Sequence, residues 1–364
     1  MVVSKNPIEL TDINQELNQL WDKEQGKNTT RASLFTLIVY VSKNTKLNSS
    51  ETLIKSVISK FPCRIILVIR SDDQKETYLR TSIASETVSQ GEFQIFCEII
   101  KIEVAGPLIE RVAFIITPQI LPDLPVYLLW RYNPAIENLI LPALERIADR
   151  IIFDPESTYH LQRYAQVVSS FLNQFHCRIG DLKWSKISGW RHLFVQVFDH
   201  SDALKKLLES KVIQIFYNKK KSEYQEHTEI EAAYLQAWIA TRLNWKFQAI
   251  EIKKNQIYLT YFNQGKIVTI IMIPEYLPVL APGMITKIEI ESVKNQSRYI
   301  FKHHPETRQV FIEYADQNYC DIPICMYLPE VSEGQEIIEE IFHPSVDFHY
   351  YEILQLLQSI SWES

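Results

Sequence analysis

The chain has 364 residues, 46% of them hydrophobic, a net charge of -6 and only 8 glycines; an average usage of about 7% would give roughly 25 glycines. Glycine-rich phosphate loops are excluded, because the backbone there must approach the phosphates and take positive φ, and the scattered glycines form no GxGxxG or Walker A run. The mildly acidic balance speaks against nucleic acid as a partner: the longest basic run, Lys219-Lys220-Lys221, lies beside Glu223 and Glu226 and reads as a solvated loop.

In chain order, Leu10, Ile13, Leu17 and Leu20 recur at steps of three and four, with Trp21 on the same face, which predicts an amphipathic helix. Leu34 to Val41 is a continuous apolar run, the mark of a strand buried on both faces. Ser49 and Ser50 offer N-caps to a helix carrying Leu53, Ile54, Val57, Ile58 and Phe61, which Pro62 stops. Arg64 to Ile69 is a second buried strand and completes a βαβ pattern. Phe93 to Val104 reads as a long strand, Pro107 to Thr117 as a helix and Val126 to Trp130 as a strand. Pro142 suits the first turn of a helix running to Asp149. A short strand, Ile151 to Phe153, precedes a helix with Leu161, Tyr164, Ala165, Val168, Phe171, Leu172 and Phe175 on one face. Strands alternating with helices imply a largely parallel sheet covered on both sides.

The second half reads differently. A helix from Ser188 to Asp199 carries Trp190, Leu193, Phe194, Val197 and Phe198 on one face, and Val212 to Tyr217 is a strand. Thr228 and Glu231 form a capping box for a helix bearing Ile230, Tyr234, Trp238, Thr241 and Trp245. From Phe247 to Tyr327 strands alternate with turns, and Asn263-Gln264-Gly265 joins two of them as a hairpin. The last helix carries Tyr350, Leu354, Leu357 and Ile360. The expected fold is therefore an α/β domain with a mostly parallel sheet over residues 1–179, followed by an α+β domain with a mainly antiparallel sheet over 180–364. The polar stretch near Lys219 is the other place to divide the chain.

Membrane insertion is not expected. The longest apolar stretch, Val112 to Trp130, is broken by Pro118, Pro122, Asp123 and Pro125. The opening MVVSKNPIEL lacks the basic start and apolar run of a secretory signal, so a cytoplasmic location is expected.

No GxSxG, HExxH, CxxC or kinase signature is present, so no catalytic residue, cofactor site or metal site is expected. Cys63 and Cys97 lie in or beside apolar strands and read as small core residues. Cys320 and Cys325 could meet in a local disulfide or share a metal, but no second Cys pair or spaced His pair completes a zinc site. Asp149 and Arg150 read as a structural ion pair. The most distinctive feature is a repeated doublet, Trp130-Arg131 in LPDLPVYLLWR and Trp190-Arg191 in GDLKWSKISGWRHLFVQVFD. Trp and Arg are over-represented where proteins grip other proteins, so Trp130, Arg131, Trp184, Trp190 and Arg191 are the candidate partner contacts. Core packing is the competing reading of each. Arg131, at the carboxyl end of a strand, also suits a small anion. That supports an alternative in which the α/β domain is an enzyme or a sensor of a sugar phosphate or nucleotide.

Seven blocks in one order carry a family resemblance: RASLFTLIVY near Arg31, CRIILVI from Cys63, CEIIKIEV from Cys97, LPDLPVYLLWR, ADRIIFD from Ala148, DLKWSKISGWRHLFVQVFD, and AAYLQAWIATRLNW from Ala232 to Trp245. Through most of its length the chain resembles the OpcA family of glucose-6-phosphate dehydrogenase assembly proteins. The resemblance implies a non-catalytic partner that binds glucose-6-phosphate dehydrogenase in the oxidative pentose phosphate pathway and promotes its active oligomer. In some relatives this effect is coupled to redox state through cysteines; the resemblance assigns that role to no particular cysteine here, and Cys320 and Cys325 are carried as redox candidates.

Overall fold

The computed structural model describes residues 2–3, 13–24, 29–44, 46–73, 75–90, 93–136, 139–158, 160–221, 227–292, 296–328, 334–342 and 348–362. Leu10 of the first amphipathic stretch and residues 222–226 of the polar stretch lie outside them. The chain divides into two compact units. The first comprises 1–157, 172–182 and 332–346; the second comprises 158–171, 183–331 and 347–364.

The first unit opens with β1 (Val2–Val3), α1 (Ile13–Glu24), β2 (Thr29–Arg31), β3 (Thr36–Ser42), α2 (Leu47–Ile58) and β4 (Arg64–Ser71). It continues through β5 (Tyr78–Gln90), β6 (Phe93–Ala105), α3 (Val112–Ile116), β7 (Val126–Arg131), α4 (Ile140–Glu145) and β8 (Arg150–Phe153). Helix α5 (Leu161–Gln174), most of which belongs to the second unit, follows, and β9 (Arg178–Asp181) returns to the first. The sheet order is β1-β5-β6-β4-β3-β7-β8-β9, with β2 also paired to β6. From β6 to β9 every pairing is parallel, and β5 and β1 extend the β6 edge antiparallel. The expected mostly parallel sheet is thus present. Its core packs Leu37, Val39 and Val41 of β3 and Ile65, Leu67 and Ile69 of β4 against Leu53, Ile54 and Val57 of α2. Burying each such side chain contributes about 1.5–3 kcal/mol, and burial on both faces is why these strands are continuous apolar runs.

Several local expectations are corrected. The N-cap of α2 is Lys46; Ser49 and Ser50 sit inside the first turn, and both hydroxyls donate back to the Lys46 carbonyl. Helix α4 ends at Glu145 rather than Asp149. Asp149 instead accepts the Val126 N–H at 2.7 Å, and Arg150 pairs with Glu340. A Cβ at Gly180, on β9, would run into that Arg150–Glu340 pair, which accounts for one glycine in a glycine-poor chain.

The second unit carries α6 (Leu182–Lys186), α7 (Ser188–Phe198), α8 (Ser201–Leu208), β10 (Ser210–Asn218) and α9 (Ile230–Arg242). Seven strands follow: β11 (Lys246–Lys253), β12 (Gln256–Asn263), β13 (Lys266–Glu275), β14 (Ile285–Ser292), β15 (Arg298–His304), β16 (Gln309–Ala315) and β17 (Ile324–Tyr327). Helix α10 (Gln335–Phe342) belongs to the first unit, where Ile337 and Ile341 join its core. Helix α11 (Phe348–Leu357) belongs to the second. The second sheet runs β11-β12-β13-β10-β14-β15-β16-β17 and is antiparallel except where β10 meets β13. It is the mainly antiparallel sheet expected.

Asn263 pairs with Lys266, leaving Gln264 and Gly265 as a two-residue turn with φ of 43° and 88°. Two positive φ values define the primed hairpin turn, which favours glycine. Helix α9 is buried all round from Ile230 to Ala240, as an apolar helix in a domain interior must be. Its N-cap is Glu229 without a side-chain bond, so the capping box is not formed. Glu231 instead meets Lys186 at 2.7 Å and Lys183 at 3.4 Å. Among the described residues no helix is long and apolar enough to cross a membrane.

Candidate functional site

Open α/β sheets bind ligands at the carboxyl ends of the strands, where the strand order reverses. Here the chain builds outward from β3 to β4 and β6, then returns to β7 on the other side of β3. The switch point therefore lies between the ends of β3 and β7, at Ser42 and Arg131.

The side chains at that point engage one another. Arg131 donates through Nε to Asp154 Oδ2 at 3.0 Å and through Nη1 to Ser50 Oγ at 2.9 Å. Lys46 Nζ lies 3.0 Å from Glu156 Oε2 and 3.7 Å from Asp154 Oδ2. Lys46, Arg131 and Asp154 are all buried. Beside them Asp72 accepts from the Ser42 hydroxyl at 2.6 Å and from the Tyr132 hydroxyl at 3.0 Å. The Arg70 guanidinium pairs with Asp72 at 3.2 Å and covers the Tyr132 ring at 4.5 Å. In dinucleotide-binding folds the pyrophosphate rests on backbone amides of a glycine-rich loop at the first helix N-terminus. The corresponding turn before α2 contains no glycine, and its Lys46 side chain is held in ion pairs with acidic neighbours.

Tyr40 and Trp130 stack behind this cluster, 4.2 Å apart and within 4° of parallel. Burial pushes the Tyr40 phenol up to about 12, against the opposing pull of Arg70. Burial also raises Tyr132, again against Arg70 and with the Asp72 carboxylate adding to the rise. Both stay neutral in the folded chain while an unfolded tyrosine ionises near pH 10. Their contribution to stability is complete below that value; that of Tyr40 is lost as pH rises through the window from about 10 to 12, and that of Tyr132 persists further. Phenolate absorbance should accordingly lag for these two, as it should for Tyr217 and Tyr261, which burial also raises; full ionisation of every tyrosine near pH 10 in folded protein would contradict this placement.

The five candidate partner contacts separate into three places. Trp130 is fully buried at 0% exposure, and Arg131, on the opposite face of β7, is bound to Asp154. Trp184 is buried against Tyr350, with ring centroids 5.7 Å apart. The Arg191 guanidinium lies 3.4 Å over the Trp184 ring, so these two form a unit. Trp190, also buried, packs edge-on to His303 at 5.9 Å. In the isolated chain the three tryptophans and Arg131 are interior side chains that shape elements, as the core-packing reading has it, and of the five only Arg191 is partly exposed. The Arg131 guanidinium, the candidate for an anion, is engaged by Asp154 and Ser50. Sequence reasoning missed Lys46, Asp72, Tyr132 and Asp154. The available signal was that Asp72, Tyr132 and Asp154 each follow a strand of the parallel sheet.

Cys320 and Cys325 are free and exposed. Cys320 bridges Ala315 and Cys325 pairs with Phe311, which sets them about 13 Å apart along the strand direction. A disulfide needs Cα atoms within about 7 Å, so the local pairing is not available in this arrangement. Burial raises the thiol pKa values of Cys63 and Cys97, as befits core residues. Among the described residues no group of three or more His, Cys, Asp or Glu is placed to hold a metal.

A mostly parallel sheet with a second, largely antiparallel sheet unit also occurs in solved structures of oxidoreductases. A 3-ketoreductase from Actinomadura kijaniata matches with TM-score 0.51 at 8% identity, covering 90% of this chain and 97% of that one. An oxidoreductase from Sinorhizobium meliloti matches with TM-score 0.51 at 8% identity, covering 90% and 96%. At such identities the likeness is of fold alone. Two family models specify the chain further. Residues 55–169 match the glucose-6-phosphate dehydrogenase subunit N-terminal domain and residues 177–354 match its C-terminal domain. The chain belongs to the OpcA family of glucose-6-phosphate dehydrogenase assembly proteins. The OxPP cycle protein OpcA of Synechocystis sp. is 26% identical over 192 residues, which is 52% of this chain and 39% of that protein. Its counterpart in Nostoc punctiforme is 24% identical over 209 residues, 55% of this chain and 42% of that protein. The chain thus spans about two fifths of the length of the curated relatives it matches.

Proposed function

We propose that this protein is a non-catalytic assembly factor that binds glucose-6-phosphate dehydrogenase and promotes its active oligomer. The observation that carries the non-catalytic part is the switch point. Lys46, Arg131 and Asp154 fill it with mutual ion pairs where relatives by fold would need an open, glycine-lined cleft. The names of the matching family models support glucose-6-phosphate dehydrogenase as the partner. Activation requires that the chain bind the active state of the dehydrogenase more tightly than the inactive one, and such coupling is typically 5–150-fold.

The test is kinetic and hydrodynamic. Added to the cognate dehydrogenase, the chain should shift its oligomer size and change its substrate affinity or turnover by several-fold. No change in any of the three rejects the assembly role. A thermal-shift screen with sugar phosphates and nicotinamide nucleotides separates the two readings, because a ligand that binds the folded state raises its melting temperature. A marked shift by such a ligand alone favours the sensor or enzyme reading.

A further inference from the structure

One face of the second sheet meets helices of its own unit; on the other, side chains run from exposed (Glu251, Lys253, Lys302, Glu313) through partly exposed to buried (Glu289). The side chains of Ile213, Ile215, Ile270, Ile288, Phe301 and Ile312 are buried on the face that meets the helices. On that face Phe194 of α7 stacks on Phe301 at 5.2 Å, and Gln236 of α9 accepts the Tyr261 hydroxyl at 2.6 Å. The alternate residues point the other way, and their registers line up in rows across the strands. One row carries Glu251, Glu289 and Glu313, with Ile271 and Ile300 among them. The neighbouring row, two residues along each strand and about 7 Å away, carries Lys253, Lys287 and Lys302, with Ile273 and Phe216 among them. The rows are therefore opposite in sign and equal in charge. Within one copy they already touch, Lys253 to Glu251 at 2.7 Å and Lys287 to Glu289 at 3.1 Å.

We propose that this face binds a second copy of the chain, about a twofold axis running across the strands between the two rows. Rotation about that axis lays the acidic row of one copy over the basic row of the other. Glu251 then opposes Lys253 of the partner copy's sheet, and Glu289 opposes Lys287. A twofold axis along the strands would instead set acidic on acidic and basic on basic, so the rows select the orientation. The extent also fits. Eight strands spaced about 4.8 Å and some seven residues long present roughly 34 by 23 Å, close to the ~800 Å² per partner of a standard interface. The exposed Ile267 and Phe262 add apolar surface at the end of the β12–β13 hairpin.

Sedimentation velocity of the full chain from about 1 to 50 µM is the test. The expected species is a dimer that dissociates as salt rises, since the opposed rows are screened. Lys287→Glu should weaken it at least tenfold with the melting temperature kept. Lys287→Glu with Glu289→Lys, which exchanges the signs of the rows at that strand, should restore it. Should K287E unfold, Gln214→Arg, at the middle of the acidic row, carries the same expectation of a weakened dimer. A monomer throughout the concentration range overturns the proposal, as does a dimer indifferent to the folded variants. A monomeric chain whose complex with glucose-6-phosphate dehydrogenase is lost in K287E also overturns it, and assigns the face to the dehydrogenase.

Discussion

Replacing Asp154 with alanine should lower the stability of the first unit by about 3–5 kcal/mol, the usual cost of removing one partner from a buried ion pair. Asp154 is 2% exposed and meets two cations, Arg131 at 3.0 Å and Lys46 at 3.7 Å. It also accepts the Glu156 N–H at 3.1 Å, which shapes the turn after β8. Truncation leaves the Arg131 guanidinium, itself buried, without that countercharge, and the cost is the desolvation of a charge that had been compensated. Lys46 suffers less, because Glu156 holds it at 3.0 Å. For a unit of this size each kcal/mol moves the midpoint by about 2–4 °C, so a fall of roughly 6–20 °C is expected by calorimetry. Arg131→Met combined with Asp154→Asn should cost less than the sum of the single changes, since the second change no longer strands a charge. An unchanged midpoint for D154A would show that the cluster is solvated and the switch point open, which would return the ligand-binding reading to contention.

The parts of the fold that were legible are those whose environment forces a simple pattern. Strands β3 and β4 are buried on both faces, so LFTLIVYV and RIILVI can be nothing else in this context. The Gln264-Gly265 turn was legible because a primed turn demands particular residues. Strand β5 was not: YLRTSIASETVSQ is an edge-side antiparallel strand with polar residues throughout, and nothing in it distinguishes a strand from a loop. Caps failed for a related reason. Ser49 and Ser50 satisfy the composition of an N-cap, yet they bond back to Lys46 within the helix, an alternative that hydroxyls always have. The candidate site was legible as residue types and not as geometry. Trp130 and Arg131 are adjacent in sequence, but strand alternation sends one towards Tyr40 and the other towards α2. The partner of Arg131 is 23 residues away, and only the parallel pairing of β7 with β8 brings it near.

Trp130→Ala should cost about 3–5 kcal/mol, the range for removing a large buried aromatic side chain. The ring is fully enclosed, lies flat on Tyr40 at 4.2 Å and meets Tyr132 edge-on at 6.5 Å. Because Tyr40 and Trp130 are register partners on adjacent parallel strands, the cavity would open between β3 and β7, where the sheet order reverses. Stacked aromatic pairs contribute about 0.5–1.5 kcal/mol beyond area burial, and phenylalanine retains part of that. Trp130→Phe should therefore lose only a fraction of the alanine cost. The pair of variants separates packing from docking. If Trp130 only supports the sheet, then on the proposed reading W130F measured well below its midpoint should act on glucose-6-phosphate dehydrogenase within about twofold of the unmodified chain, while any effect of W130A is lost in step with its unfolding. A W130F protein that is folded by calorimetry yet has lost more than tenfold of its effect on the dehydrogenase would mean that the indole reaches the partner after all, through an opening of β7 that the isolated chain does not display.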